Sequence, residues 1–217
     1  MVSTNASAIE DLLIKDLPRE LILSVQEGLT VGAQRAYVAS RGIDSGHLAN
    51  FLGQQRHFHM NETFHQALVG SGIRTSDISG NQVIVGRCGK FQLARLNVRG
   101  HTRSNYRRSK IRQDMSKINI TIESLVQPGL FDDKVEITDA VAFFVAVFSN
   151  SPGVPQDVPQ SISLVVPNHN MKQWLFNESL EDFLIRYEMP QTHQPDLAVP
   201  VLKPDIERRK GQSGDAV

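Results

Sequence analysis

The chain has 217 residues, of which 40% are hydrophobic and 21% are charged, and its 23 basic and 23 acidic residues give a formal net charge of zero. These values are typical of a globular protein with a sizeable core and argue against a disordered chain. The single cysteine, Cys88, excludes an internal disulfide and suits a reducing compartment. The N-terminus lacks a signal-peptide pattern, and no apolar run could span a bilayer, so we expect a cytoplasmic protein without a membrane segment.

The charge is unevenly distributed along the chain. Residues 81–120, called the basic segment below, contain ten of the 23 Lys and Arg residues and one acid, Asp114. The first 80 residues contain six basic and eight acidic residues, and residues 121–217 contain seven and 14. A basic patch on a neutral protein can still attract a polyanion. The basic segment is therefore the first candidate for a functional surface.

The first 70 residues have helical periodicity and predict a helical subdomain of about four helices. Pro18 suits the start of the second helix, and Gly28 is predicted to end it. Gly42 separates a third helix, Val31–Arg41, from a fourth that begins at Asp44 or Ser45. Two short helices around a glycine turn suggest a helix-turn-helix motif over residues 31–56. A purely structural helix pair is the alternative interpretation.

A helix-turn-helix motif would present the exposed side of its second helix to the major groove of DNA. That side would carry polar residues able to bond bases or phosphates, namely Ser45, His47, Asn50, Gln54 and Arg56. These five residues are the predicted base-reading set.

A group of histidines follows and raises the question of a metal site. His57 and His59 point to nearly opposite sides of a continuous helix, and His65 has no defined partner. Together with Glu62 they match no known metal-binding spacing, so we predict no metal or other cofactor. Whether these histidines bind anything is left open.

The basic segment is predicted to form a hairpin followed by a helix. The strands are Val83–Arg87 and Phe91–Val98, joined by a turn around Gly89. In the helix, apolar residues recur at steps of three and four, at Ile111, Met115, Ile118, Ile122 and Leu125. The predicted phosphate contacts of this segment are Arg103, Arg107, Arg108, Lys110, Arg112 and Lys117. The alternative is that these charges pair with the acidic cluster Asp132, Asp133, Glu136 and Asp139.

The C-terminal part completes the predicted sheet. Ala140–Phe148 is apolar on both faces and should be a central strand, followed by a strand at Ser161–Val166. Helices are predicted at Met171–Phe176 and at Ser179–Tyr187, where Ser179 resembles the first residue of a capping box. Residues 189–217 are proline-rich and predicted to form a disordered tail.

These elements predict an α+β fold. Residues 1–70 form the helical subdomain, and residues 81–188 form a small, mostly antiparallel sheet in the order β-β-α-β-β-α with helices packed on it. We expect a nucleic-acid-binding protein, such as a small DNA-binding regulator, rather than an enzyme. The alternative is a protein–protein interaction module, such as an inhibitor or antitoxin-like protein, whose basic patch meets an acidic partner or a second copy of the chain. A metal-dependent hydrolase that uses His57, His59 and Glu62, or the acidic cluster, is the third and weakest hypothesis.

Overall fold

The computed structural model describes residues 4–100, 109–126, 137–149 and 155–188. The helices are α1 (Thr4–Asp16), α2 (Arg19–Ala39), α3 (Ser45–Gly70), α4 (Lys110–Ser116), α5 (Ile120–Val126) and α6 (Leu180–Arg186), and a short 3₁₀ helix, Lys117–Asn119, joins α4 to α5. The strands are β1 (Arg74–Thr75), β2 (Gly86–Cys88), β3 (Phe91–Arg99), β4 (Ala140–Phe148), β5 (Ser161–Pro167) and β6 (Trp174–Ser179). The predicted α+β class and the predicted order are confirmed, with β1 and β6 added.

The described strands form one sheet in the order β1-β2-β3-β4-β5-β6. All neighbouring pairs are antiparallel except β3 and β4, which are parallel. Strand β4 lies inside the sheet and is buried on both faces, as its uninterrupted apolar sequence predicted. Phe144 packs into the larger core with the N-terminal helices, whereas Phe143 packs into a smaller core on the opposite face.

The larger core joins the helical part of the chain to the sheet. Leu13 of α1, Leu21 of α2 and Phe64 of α3 belong to the same buried cluster as Phe91 and Phe144 of the sheet. The predicted helical subdomain and the predicted sheet domain therefore share one core, and α3 is fixed against the sheet by apolar burial.

The N-terminal part has three helices instead of about four, because α2 continues through Gly28 to Ala39. Gly28 and Gly32 face α3, where the helix backbones approach closely. A Cβ atom added at Gly32 would lie 2.5 Å from Thr63 Oγ1 and 2.8 Å from Met60 Cα. These glycines permit close helix packing, and they do not end a helix.

Helices α2 and α3 run antiparallel, side by side. Gly28 approaches Thr63 and Ala67, whereas Gly32, four residues later, approaches residues 59–63. The turn contains Gly42 at φ +84°, and the Asp44 side chain accepts a hydrogen bond of 2.8 Å from the Gly46 N–H, as expected of a helix cap. This long helical hairpin differs from the crossed short helices of a helix-turn-helix motif, so its geometry does not match the helix-turn-helix prediction.

The predicted basic helix is divided into α4, the 3₁₀ helix and α5, which cross from β3 to β4. Met115 and Ile118 pack against the smaller core, whereas Ile122 and Leu125 pack against the larger core on the other face. Ile111 is 54% exposed and does not join the predicted apolar stripe. One straight helix could not reach both faces, and the break makes this arrangement possible.

Asn119, at the break, continues the hydrogen bonding between β4 and β5. The pairing of β4 with β5 reaches Phe143 and Val165, and two residues further in this register Val141 would lie opposite Pro167, which has no N–H. Asn119 Nδ2 donates to the carbonyls of Val141 (3.0 Å) and Pro167 (2.7 Å), and Asn119 Oδ1 accepts from the Val141 N–H (2.6 Å). A fully buried side chain thus satisfies three backbone groups where the strands separate.

The predicted helix at Met171–Phe176 is wrong. Met171 lies in a turn at φ +56°, and Trp174 begins β6, which pairs with β5. Phe176 is buried and Asn177 is exposed, so the segment has the alternation of an edge strand. Helix α6 is confirmed, and the Ser179 hydroxyl oxygen accepts a hydrogen bond from the Asp182 N–H (3.1 Å) as its cap.

Some predictions concern residues outside the described part of the chain. They include the phosphate contacts Arg103, Arg107 and Arg108, the acidic residues Asp132, Asp133 and Glu136, and the tail 189–217. Among the helices that the structure describes, none combines the length and the apolar character needed to cross a membrane.

Candidate anion-binding cleft

Two adjoining cavities lie between α3, β3 and α4, and together they are called the arginine cleft. The inner cavity, of about 190 Å³, is lined by Gly53, His57, Asn61, Val83, Arg95, Asn97 and Arg112. The outer cavity, of about 760 Å³, is lined by Ala49, Asn50, Gly53, Gln54, His57, Phe58, Asn81 and Arg99. Gly53 and His57 border both cavities, so the two cavities lie side by side.

The alternation of β3 places its polar residues in this cleft. Phe91 and Leu93 point into the larger core beneath the helices, and the same face continues with Arg95, Asn97 and Arg99. Across from them, residues 49, 53, 57 and 61 of α3 follow one another at steps of four and form one stripe along the helix. The apolar contact between helix and strand therefore becomes polar towards the end of β3.

Arg95 lies at the base of the cleft and is only 5% exposed. One terminal nitrogen donates to Asn97 Oδ1 (3.0 Å), the other donates to the His57 carbonyl (2.5 Å), and Nε has no hydrogen-bond partner. Burial and the charge of Arg112 lower the pKa of Arg95 to about 9. The guanidinium therefore remains positive at pH 7 although the site disfavours its charge.

Arg112 of α4 also lines the inner cavity. Burial lowers the pKa of Arg112, and its Nε also lacks a hydrogen-bond partner. Within the described part of the chain, the ion pairs involve other residues, and no carboxylate lies within salt-bridge distance of Arg95 or Arg112. Buried charges in proteins are normally paired, so the buried Arg95 and the half-buried Arg112 leave unpaired positive charge at the inner cavity.

His57 and Asn61 form the α3 wall of the inner cavity. Asn61 Nδ2 lies 3.4 Å from His57 Nε2 and donates to the Gln82 carbonyl (3.3 Å). Burial, followed by the charges of Arg95 and Arg112, lowers the pKa of His57 below 6.5. The ring is therefore neutral at pH 7 and can donate or accept a hydrogen bond without adding charge.

We expect the His57 ring to titrate below pH 6.5 in the ligand-free protein and at a higher pH once an anion occupies the cleft. The unfolded chain binds a proton at His57 more readily than the folded chain, so this residue makes the protein less stable as pH falls below 6.5. NMR titration of the ring signals, assigned with His57→Gln, measures both pKa values. A ligand-free pKa above 6.5 would contradict the cationic surroundings described here.

Arg56 lies beside the cleft but is not on an exposed helix surface. It is 6% exposed, its guanidinium lies 3.7 Å from the centre of the Phe148 ring, and it donates to the Gln156 carbonyl. Burial and the charge of Arg99 lower its pKa to about 10. Arg56 therefore does not lie on the exposed side of α3 where it was predicted, because its side chain packs on Phe148 of the sheet.

The other predicted site residues are divided between the cleft and the surrounding surface. Asn50, Gln54 and Arg112 line the cleft. Ser45, His47 and Lys110 are exposed and line neither cavity, and Lys117 pairs with Asp114 at 2.7 Å. Among the acids suggested as partners for the basic segment, Asp139 pairs with Arg87 at 2.6 Å, so part of the basic charge is neutralised within the chain.

Arg95 and Arg99 were not among the residues predicted from the sequence. The sequence of β3, FQLARLNVR, nevertheless contains a signal, because Arg95 follows Phe91 and Leu93 on the face that should be buried. A charged residue that interrupts an apolar face is an unusual feature that indicates either a buried partner or a site.

The metal hypothesis finds no support in the described residues. Helix α3 is continuous, so His57 and His59 diverge, and His59 Nδ1 lies 4.0 Å from Glu62. In residues 4–100, 109–126, 137–149 and 155–188, no three His, Cys, Asp or Glu side chains are grouped in a way that could hold a metal ion.

Comparisons with protein-family models, with curated proteins and with solved structures give no match to this chain. The indication of function therefore comes from the residues of the arginine cleft. Its chemistry is that of a cationic, partly enclosed recess with amide groups at the entrance.

Proposed function

We propose that this protein binds nucleic acid and that the arginine cleft receives a phosphate group of a single strand. One observation supports this proposal above the others: Arg95 is almost fully buried and charged, it faces Arg112, and no described carboxylate pairs with either residue. Guanidinium groups present N–H donors in a planar fork that matches phosphate oxygens, and here neither Nε–H has a hydrogen-bond partner within the described part of the chain.

The outer cavity supports a nucleotide ligand. Its volume, about 760 Å³, lies within the range of small-ligand sites. The amides of Asn50, Gln54 and Asn81 can bond base edges, and Phe58, which is 47% exposed, offers a ring for base stacking.

A single strand fits this shape better than a duplex does. The side of α3 that lines the cleft faces β3, so it cannot enter a major groove as a recognition helix would. An unpaired strand can place a phosphate in a recess and leave its bases near the entrance.

The test is fluorescence anisotropy with a labelled single DNA strand of roughly 12 nucleotides and with the matching duplex. We expect the single strand to bind more tightly than the duplex and its affinity to fall steeply with salt, because counterions are released on binding. Arg112→Gln should weaken binding at least about tenfold.

Arg35→Gln is the matched control, because it removes one exposed positive charge that lines neither cavity. It should bind as the unchanged protein does. No binding at low salt, or an equal loss in both variants, would reject the proposal.

An acidic protein partner is the alternative ligand, since carboxylates also pair with guanidiniums. The depth of Arg95 disfavours it, because a folded partner would have to insert a side chain into the 190 Å³ cavity. Competition by poly-glutamate at the same concentration as the DNA strand would favour this alternative. We further propose a non-enzymatic, cytoplasmic protein, and the single buried thiol of Cys88 supports the cytoplasmic location because free thiols suit a reducing compartment.

A further inference from the structure

We infer that the inner cavity binds the terminal phosphate monoester of a strand, and not a diester within its backbone. This inference depends on the proposed function, and it specifies which part of the strand the cleft binds. It follows from the charge of the inner cavity, from its size and from the way it joins the outer cavity.

The charge of the inner cavity matches a dianion. Arg95 and Arg112 bring two positive charges into a recess whose remaining lining is neutral at pH 7, with amides, an aliphatic side chain and the uncharged ring of His57. A backbone diester carries one negative charge, whereas a terminal phosphate monoester carries about −1.5 to −2 at pH 7. Only the monoester therefore comes close to balancing both guanidiniums.

The size of the inner cavity also favours a chain end. A diester continues in two directions and needs two exits for the strand, whereas a monoester needs one. The inner cavity, of about 190 Å³, shares the lining residues Gly53 and His57 with the outer cavity, so a chain end held in the inner cavity would have the larger space beside it.

The donors in the inner cavity are positioned independently of the ligand. Arg95 is held by Asn97 and by the His57 carbonyl, and Asn61 is held by the Gln82 carbonyl. The Nε atoms of Arg95 and Arg112 are buried and have no hydrogen-bond partner among the residues that the structure describes, so the positive charge of both residues is incompletely compensated at the inner cavity. A site with its charged groups already ordered loses little side-chain entropy on binding.

The outer cavity then receives the terminal nucleoside. Phe58 and the amides of Asn50 and Gln54 lie next to the junction at Gly53 and His57. A phosphate in the inner cavity would place the adjoining sugar at this junction and the base near the Phe58 ring.

The experiment compares three DNA strands of the same sequence, which carry a 5′-phosphate, a 3′-phosphate or no terminal phosphate. We expect one of the phosphorylated strands to bind at least about tenfold more tightly than the unphosphorylated strand, and inorganic phosphate to compete for that excess affinity. The difference between the two phosphorylated strands identifies the end that is selected. Arg112→Gln and Arg95→Lys should remove the preference, and Arg35→Gln should keep it.

The outcomes separate this inference from the proposed function. If all three strands bind equally, nucleic-acid binding stands and the selection of a terminal phosphate is wrong. If none binds, the proposed function itself is rejected, and the inference falls with it. If a preference for a phosphorylated strand persists in both cleft variants, while their thermal unfolding shows that they are folded, the assignment to the inner cavity is overturned.

Discussion

Arg95→Met is expected to make the ligand-free protein more stable while it abolishes binding of a terminally phosphorylated strand. The lowering of the Arg95 pKa to about 9 means that burial disfavours the charged guanidinium by several kcal/mol, since one pKa unit corresponds to about 1.4 kcal/mol. Methionine fills a similar volume without a charge. Replacing buried ionic groups by apolar ones stabilises some proteins by about 1–4 kcal/mol, and we expect a gain in this range.

Urea unfolding of the ligand-free protein measures this gain, and strand binding measures the loss. Arg35→Met is the matched control, because Arg35 is exposed, and its free energy of unfolding should change by less than about 0.5 kcal/mol. The backbone groups near Arg95 remain satisfied, since the His57 carbonyl lies within the continuous helix α3. A variant less stable than the unchanged protein by more than about 1 kcal/mol would show that Arg95 serves the fold.

Asn119→Ala should be among the most destabilising single substitutions in the chain. It removes three hydrogen bonds and leaves the N–H and carbonyl of Val141 and the carbonyl of Pro167 without partners in a fully buried place. Each buried unsatisfied group costs about 1–3 kcal/mol, so for three groups we expect a loss of at least about 3 kcal/mol in the free energy of unfolding.

Chemical denaturation with Asn177→Ala as the control tests this expectation. Asn177 is an exposed residue of the edge strand β6, and its loss should change stability by less than about 0.5 kcal/mol. Asn119→Asp should also be destabilising, because a carboxylate can accept from the Val141 N–H but cannot donate to either carbonyl. If Asn119→Ala lost no more stability than Asn177→Ala, the bridge between β4 and β5 would be unimportant.

The parts of the fold that could be predicted from the sequence are those that depend on local patterns. The apolar sequence of residues 140–148 predicted a strand buried on both faces, and Ser179 predicted the start of α6. Helix boundaries within the first 70 residues were less predictable. A glycine that ends a helix and a glycine that allows two helices to touch, such as Gly32, look the same without the neighbouring helix.

Contacts between distant segments account for most of what could not be predicted. The break at Asn119 exists because β5 reaches a proline 48 residues further along the chain, and no local propensity indicates that. The edge strand at Trp174–Ser179 depends on pairing with β5, which overrides the helical spacing of its apolar residues.

The candidate site was predicted only in part. Asn50, Gln54 and Arg112 were expected to contact nucleic acid and do line the cleft, although a helix-turn-helix motif was the wrong reason for the first two. In the sequence, Arg95 contributed only to the count of basic residues in the basic segment. Its burial could not be predicted, because it depends on α3 packing across β3. Charge totals indicate that a segment is basic, but the sheet and helix together determine which of its charges are enclosed.

The parallel pairing of β3 and β4 has a consequence for how the chain is made. Phe91 is paired with Ala140, which lies 49 residues later in the chain. Strand β3 therefore leaves the ribosome well before its neighbour β4 has been synthesised. During that interval one side of a mostly apolar strand has open backbone groups, which can pair with strands of other molecules. A nascent chain that has reached the crossover but not β4 is therefore the species most exposed to aggregation, and slower translation between the two strands would prolong that exposure.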